Sequence, residues 1–139
     1  MSRTERTRLA LAALLVGALG GCGGGGNENG PGMSPGEDCL ACHNPGGSAH
    51  EAWFSAAGTV FDADGNPVVG VGVNLTDSVS RVTSDVTNFA GNFYFTEELS
   101  PPLQVTIVGA AGERTMADAT GACNSCHQAG GSPGPIVLQ

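Results

Sequence analysis

The sequence contains no lysine, and arginine supplies all 5 of its basic residues. Acidic residues number 13, so the formal net charge is −8 at pH 7. A chain with this balance has no basic surface for a phosphate backbone, which excludes nucleic-acid binding. It should also be repelled by anionic lipid head groups unless a lipid of its own holds it at the membrane.

The chain also has no apolar run long enough to span a bilayer, since the longest extends only from Leu9 to Leu19. Arginines precede this run, and a positive segment followed by a short apolar one is typical of a secretory signal. Its end, Leu19-Gly20-Gly21-Cys22, resembles the lipobox of bacterial lipoproteins, in which the cysteine is diacylated on sulfur before cleavage. We therefore predict a lipoprotein signal peptide at residues 1–21 and a lipid on Cys22.

Removal of residues 1–21 takes away three arginines and one glutamate and leaves 2 basic and 12 acidic residues, a net charge of −10. Residues 22–36 are rich in glycine and contain few side chains to bury, which predicts a tether. The lipobox resemblance implies an exported protein anchored in a membrane of the bacterial cell envelope. Gly23 after the lipidated cysteine favours the outer membrane over the inner.

Cysteine is scarce, and four of the 5 cysteines lie in two copies of one pattern. The first motif is Cys39-Leu40-Ala41-Cys42-His43, and the second is Cys123-Asn124-Ser125-Cys126-His127. C-x-x-C-H is the attachment signature of c-type haem. Each thiol adds to a porphyrin vinyl group, and the adjacent histidine binds the iron. The two motifs therefore predict two covalently attached c-type haems.

The division of the cysteines favours haem over the alternatives. One lipidation site and two thioether pairs use all 5 cysteines and leave none for a disulfide. In the alternative, Cys39, Cys42, Cys123 and Cys126 are zinc ligands or form disulfides, which does not account for the histidine after each pair. Two such motifs behind an export signal resemble the multihaem cytochromes c, and the likeness is limited to these two short runs.

Histidine is scarcer still, with 3 residues, and this limits how two irons are coordinated. Because His43 and His127 are the predicted proximal ligands, at most one haem has two histidine ligands. His50 is our first candidate for a distal ligand and Met116 the second, with Met33 as a weaker one. The alternatives are that His50 is a surface residue or contacts a haem propionate, and that Met116 is ordinary packing.

Between the motifs apolar residues alternate, as is typical of β-strands. Strands are predicted at 58–61, 71–76, 81–87, 93–96 and 103–108, with a turn around Asp64-Gly65. This predicts a mainly β fold, a small antiparallel β-sandwich inserted between two short haem-binding segments at 37–56 and 109–139. The residues predicted to share a face are Val71, Val73 and Leu75 in one strand, Phe93 and Phe95 in another, and Leu103, Val105 and Ile107 in the last.

Residues 109–121 are polar and punctuated by glycine, and no strand is predicted there. The apolar end of the chain, Ile136-Val137-Leu138, is expected to fold back against a haem or the sandwich. Trp53 and Phe54 either stack beside the first haem or close one end of the sandwich.

Residues 57–108 resemble a known sandwich family. The runs G-T-V-F-D-A-D-G-N-P-V-V-G-V-G-V-N-L-T-D and T-N-F-A-G-N-F-Y-F are similar to the carboxypeptidase regulatory-like, transthyretin-like sandwich. This resemblance implies a scaffold or binding role more often than chemistry. Asp62-x-Asp64-Gly65 also matches part of a calcium loop, but a valine stands where such a loop needs its last glutamate, so we interpret it as a turn.

Together these features predict a lipid-anchored dihaem cytochrome that exchanges single electrons with an unidentified redox partner protein. No catalytic residue is predicted, and the chain is interpreted as an electron carrier rather than an enzyme. Two alternatives remain open: a small haem enzyme or ligand sensor with an open iron site, and a module whose sandwich binds a protein or polysaccharide. The distance between the motifs is also open, because an insert with an odd number of strands can end at opposite poles.

Overall fold

The computed structural model describes residues 33–138. The predicted signal peptide, the lipidation site Cys22 and most of the tether lie outside these residues. Two short 3-10 turns come first, at Cys39–Ala41 and His50–Ala52, and a one-turn helix, α1, follows late in the chain at Cys123–Cys126. The strands are β1 (Ala56–Phe61), β2 (Gly72–Thr76), β3 (Val82–Val86), β4 (Asn92–Phe95), β5 (Leu103–Gly109), β6 (Gly112–Ala119) and β7 (Ile136–Val137).

The strands form two sheets, of order β4-β1-β7 and β3-β2-β5-β6. All neighbouring strands are antiparallel except β1 and β7, which are parallel. The mainly β fold and the small β-sandwich predicted from the sequence are confirmed. Among residues 33–138, no helix is both long and apolar enough to cross a membrane.

The core lies between the sheets and is filled by residues that alternate along the strands. Each predicted face is buried, because successive side chains of a strand point to opposite sides of its sheet. The buried residues are Val71, Val73 and Leu75 before and within β2, Phe93 and Phe95 of β4, and Leu103, Val105 and Ile107 of β5.

Two strands lie beyond the predicted end of the sandwich at residue 108. In β6 only Ala119 is buried, so the segment has no apolar alternation from which a strand could be predicted. It forms because the chain reverses after β5 and pairs with it. The short β7 joins the edge of β1, and Leu138 after it is buried in the core beside Gly109. The end of the chain therefore folds against the sandwich, one of the two places expected.

Candidate functional site

The two motifs lie side by side on β1. The turn at Cys39–Ala41 and helix α1 both contact this strand, and the Ala57 N–H donates to the Gly121 carbonyl at 3.0 Å just before α1 begins. Burial raises the pKa of the Cys123 thiol to about 12, and the charge of Cys39 contributes to that rise. The Asn124 side chain, next to Cys123, also donates to the carbonyl of Glu37, two residues before Cys39, at 2.8 Å. The insert therefore brings its ends together rather than placing them at opposite poles.

A cluster of three buried polar side chains, Thr59, Asn92 and Asn124, joins the second motif to the sandwich; we call it the polar junction. Asn124 is the residue after Cys123 in the second motif, and its Oδ1 accepts from the Thr59 N–H at 3.1 Å. Its Nδ2 donates to Thr59 Oγ1 at 3.0 Å, and that hydroxyl donates to Asn92 Oδ1 at 2.7 Å. All three residues are at most 8% exposed, so these bonds are shielded from water.

The polar junction also holds the segment that leads into the first motif. Asn124 Nδ2 donates to the Glu37 carbonyl at 2.8 Å, and the Gly36 N–H donates to Thr59 Oγ1 at 2.9 Å. Asn92 Nδ2 donates to the Met33 carbonyl at 2.5 Å. No buried side-chain nitrogen or oxygen in residues 33–138 lacks a hydrogen-bond partner. The junction is thus a satisfied polar network that fixes both motifs to one strand.

Gly58 allows α1 to approach β1 closely. A Cβ at this position would lie 2.7 Å from Phe93 Cζ and 3.0 Å from Cys123 Cβ. Any other residue would push the ring or the helix away, because such separations are shorter than van der Waals contact. The missing side chain therefore sets the distance between the second motif and the sheet.

The two motif histidines are oriented in the same way. Nδ1 of His43 lies 2.7 Å from the Ala52 carbonyl oxygen, and Nδ1 of His127 lies 3.0 Å from the Gly134 carbonyl oxygen. A carbonyl oxygen only accepts, so Nδ1 carries the proton in each ring. In the neutral imidazole this leaves Nε2 with its lone pair, which is how metal-binding histidines are commonly held. Both rings therefore share one orientation, with Nδ1 toward a backbone carbonyl oxygen and Nε2 on the other side of the ring.

A cleft opens beside the second motif, between α1 and the inner face of β6; we call it the α1–β6 cleft. Met116 pairs with Val105 of β5, whose side chain is buried in the core, so Met116 is on the inner face although it is 45% exposed. The cleft has a volume of about 560 Å³, which is within the usual range for ligand sites. Its lining includes Cys123, Cys126, His127, Met116, Phe93 and Ile136.

Within the α1–β6 cleft, Nε2 of His127 lies 3.4 Å from the sulfur of Met116. Because Nδ1 holds the proton of the neutral ring, no hydrogen lies between Nε2 and the Met116 sulfur. The lone pairs of these two atoms therefore face the same space in the cleft. Imidazole nitrogen and thioether sulfur are the axial ligand pair of His/Met cytochromes. Of the distal candidates, Met116 is the one in contact with a motif histidine.

The first motif has a different environment. The His43 ring stacks on Phe54 with centroids 4.2 Å apart, and Phe54 stacks on Tyr94 of β4 at 4.7 Å. Phe54 thus lies beside the first motif, while Trp53 next to it is 38% exposed. His50 is exposed, and its Nδ1 lies 3.1 Å from the Gly47 carbonyl oxygen. No hydrogen bond or ring contact joins His50 to His43 or His127 in the described chain.

A second cavity, of about 840 Å³, borders both motifs. Ala41 and Cys42 contribute from the first motif and His127 from the second, with Phe61 and Val137 from the sandwich. The two cavities share His127 in their linings, but only this one includes Ala41 and Cys42. Each motif therefore has open space beside some of its residues.

The motif cysteines differ in burial. Cys39, Cys123 and Cys126 are free thiols, of which Cys126 is exposed, and Cys42 is buried. Burial raises the pKa of the Cys39 thiol to about 11, with a smaller contribution from the charge of Asp38. Cys39 and Cys123 are therefore protonated at neutral pH.

The alternatives of a zinc site and a calcium loop were compared with the side chains of residues 33–138. No group of three or more His, Cys, Asp or Glu side chains in residues 33–138 is arranged to hold a metal ion, and a structural zinc site has four such ligands. The carboxylate of Asp62 accepts from the N–H groups of Asp64 and Asn66 at 2.9 and 2.8 Å. These bonds, the one from Asn66 above all, lower the pKa of Asp62. This is the geometry of a turn.

Asn124 and Arg114 were not singled out in the sequence. Asn124 occupies a variable position of the second motif, and Arg114, which lines the α1–β6 cleft, lies in a segment without apolar periodicity. Comparison with known proteins adds nothing to these observations, because no family model, no curated protein and no solved structure matches the chain.

Proposed function

We propose that the protein is a dihaem c-type cytochrome, anchored by lipid to a bacterial envelope membrane, that transfers single electrons. The supporting observation is the α1–β6 cleft, where both thiol-bearing residues of the second motif, the Nε2 lone pair of His127 and the Met116 sulfur line one largely apolar space. Cys123, Cys126 and His127 are the residue types that would hold a covalent haem, and Met116 is a residue type that would supply a further ligand to its iron.

The chain's own residues have three tasks in this proposal. Cys39 and Cys42, and likewise Cys123 and Cys126, would provide the sulfur atoms for attachment, while His43 and His127 would each provide an imidazole nitrogen for the iron. The Ala52 and Gly134 carbonyls hold those rings in the required tautomer. Phe93, Ile136 and their neighbours exclude water from the cleft, which tunes the reduction potential. When bound, the haem supplies the one-electron chemistry.

The position of the two motifs supports a role in electron transfer by a pair of centres. Both are fixed to β1 through the polar junction, and the second cavity borders both. Two cofactors attached at these motifs would be held by one rigid strand rather than by separate mobile segments. An electron taken up at one centre would then have a neighbour to which it can pass.

Mass spectrometry of the mature full-length protein, produced together with a haem-attachment system, tests the proposal. We expect the mass of the chain plus two haems, with thioethers at all four motif cysteines and a lipid on Cys22. Variants with Cys123→Ala and Cys126→Ala together should lose one haem and keep the other. A chain that carries no haem, with these cysteines free or metal-bound, would contradict the proposal.

The axial ligands are tested by potentiometry on the dihaem protein. Met116→Leu keeps the volume of the side chain but removes its sulfur, so the midpoint potential of one haem should fall, since His/Met sites have the higher potentials. His50→Ala serves as the matched variant at the other distal candidate and should leave that haem unchanged. Equal potentials in Met116→Leu and the unchanged protein would remove Met116 as a ligand.

A haem enzyme or ligand sensor is the second candidate, because His43 has no distal partner among the described residues like that of His127. An iron at the first motif with an open position would bind carbon monoxide when reduced. A carbon monoxide shift of one haem would favour this candidate, and an absence of any shift in either haem would exclude it. His50→Ala should create such a shift if His50 closes the site.

The sandwich itself is proposed to be the scaffold of this site, in line with its resemblance to carboxypeptidase regulatory-like domains. Its strand β1 holds both motifs, β4 holds the ring stack on His43, and β6 provides the opposite wall of the cleft. A sandwich that serves only to bind a protein or polysaccharide would have no need of these contacts. Loss of both haems without loss of partner binding would favour that binding role.

A further inference from the structure

One cation in the α1–β6 cleft has no part in the ligand set described above. Arg114 pairs with Ile107 of β5, whose side chain is buried in the core, and lies two residues before Met116. Both side chains are therefore on the inner face of β6 and line the same cleft. No hydrogen bond or ion pair joins the Arg114 guanidinium to another residue in the described range 33–138.

The other arginine of the described chain differs in each respect. Arg81 donates from Nη1 to the Glu98 carbonyl, and its backbone N–H donates to Asp77 Oδ1 at 2.8 Å. It does not line the cleft. The predicted mature chain has 12 acidic residues and only these two arginines. Of the two, Arg114 is the one whose guanidinium has no partner in the described residues, and it lies where the proposed haem would be attached.

We propose that Arg114 binds a propionate of the haem attached at the second motif. The inference rests on the proposed function, because the haem provides the carboxylate. A guanidinium binds a carboxylate through two parallel hydrogen bonds, and such charge-assisted bonds are the stronger ones. The propionates are the only anionic groups of the porphyrin, and Arg114 offers them the one positive charge among the residues that line the cleft, if His127 is neutral.

The charges along β6 also select one end of the cleft. Asp118 lines the cleft too, four residues beyond Arg114, or roughly 13 Å along an extended strand. Its carboxylate repels a propionate, whereas Arg114 attracts one. The propionate edge of the porphyrin is thus favoured at the Arg114 end and disfavoured at the Asp118 end.

This pairing has a consequence for the iron. The oxidised iron carries one more positive charge than the reduced iron, so an ionised propionate nearby favours the oxidised state. A positive charge beside the propionate offsets this effect. Arg114 therefore raises the reduction potential of the second haem. It also favours the ionised propionate and so lowers the pKa of that group, which moves any pH dependence of the potential to lower pH.

The test is potentiometry of the dihaem protein at several pH values in Arg114→Gln, Arg114→Lys and Arg81→Gln. Arg114 is exposed and has no partner in the described chain, so Arg114→Gln should fold. We expect it to lower the reduction equilibrium constant of one haem by up to about fivefold, the effect of a partly exposed ion pair. The pH dependence of that haem should move to higher pH.

The other two variants separate this effect from general charge loss. Arg114→Lys should keep most of the potential, and Arg81→Gln should leave both haems unchanged although it removes the same charge. A haem that is lost in Arg114→Gln and restored in Arg114→Lys would also support the pairing, whereas its loss in both would contradict it. If mass spectrometry finds no haem, the proposed function fails. If both haems are present and Arg114→Gln behaves as the unchanged protein, the pairing alone fails.

Discussion

The two motifs share one five-residue pattern but are held by the molecule in different ways. The first forms a 3-10 turn whose histidine stacks on Phe54, and the carboxylate of Asp38 accepts from the Leu40 N–H at 3.2 Å. The second forms α1, and Asn124 inside it is 1% exposed and bonded to Thr59 and Glu37. The first motif is thus held by contacts of Asp38 and the His43 ring, whereas the second is held by Asn124, a residue at a variable position of the pattern.

Thiol reactivity gives the largest expected difference. The pKa of Cys39 is raised from 9.0 to about 11 and that of Cys123 to about 12, so their thiolate fractions at pH 8 fall about 100-fold and 1,000-fold. The exposed Cys126 should therefore be alkylated by iodoacetamide well before either residue in the haem-free protein. Peptide mapping at successive times measures this.

The unfolded protein is the control for the thiol experiment, since all three free thiols should then react at similar rates. Alkylation of Cys39 or Cys123 as fast as Cys126 in the folded protein would show that the motifs are not held on β1 as described.

The next effect concerns two asparagines, one at each motif. Asn124→Ala leaves the Thr59 N–H and the Glu37 carbonyl without their partner and should lower the free energy of unfolding by about 2–3 kcal/mol. Asn44→Ala, beside the first motif, removes amide bonds to the Leu40 and Ala41 carbonyls and should cost about 0.5–1 kcal/mol. Denaturant unfolding measures both, and equal costs would mean that the polar junction is not the stronger attachment.

A smaller effect is expected from two glycine substitutions. Gly58→Ala places a methyl group against Phe93 and Cys123 and should cost about 1–2 kcal/mol through overpacking. Gly46→Ala, in the loop after the first motif, meets only Asn44 Oδ1 at 3.5 Å and should change the stability by less than about 0.5 kcal/mol. Thermal unfolding checks the pair. A neutral Gly58→Ala would show that α1 can move off β1 without cost.

The smallest effect concerns the ring stack of the first motif. Phe54→Leu removes the stacking on His43 and Tyr94 and should cost about 1 kcal/mol. Phe89→Leu is the matched control, because Phe89 is 71% exposed and has no ring contact in the described chain. Urea midpoints compare the two. Similar small losses in both variants would mean that the stack does not hold the first motif.

The sequence predicted the parts of the fold that depend on the two-residue alternation of apolar side chains along a strand. Alternation identified the buried faces of β2, β4 and β5, because a strand half buried against a core repeats every two residues. It missed β6, whose residues are almost all exposed and whose strand conformation comes from pairing with β5. Tertiary pairing of this kind overrides local pattern.

The candidate site divides in the same way. Cys, His and Met types and their spacing indicated the residues now proposed for haem attachment and put Met116 among the candidate ligands. Met116 lies near His127, and Asn124 is buried against Thr59, because separate parts of the chain pack together. The residue spacing within one motif carries no information about such packing. Asn124 looked like any residue at a variable position, and only its burial shows its importance.

The hydrogen bond from Asn124 to Glu37 joins residues 87 positions apart, and its bonds to Thr59 span 65. Contacts of such long range form after local ones, because closing a long loop costs entropy before the contact compensates it. We therefore expect the junction to close near the end of folding. Until then the cysteines of both motifs lie on an open chain, including Cys42, which the folded molecule buries. For the proposed cytochrome, this open chain is the state in which haem attachment would find all four thiols accessible.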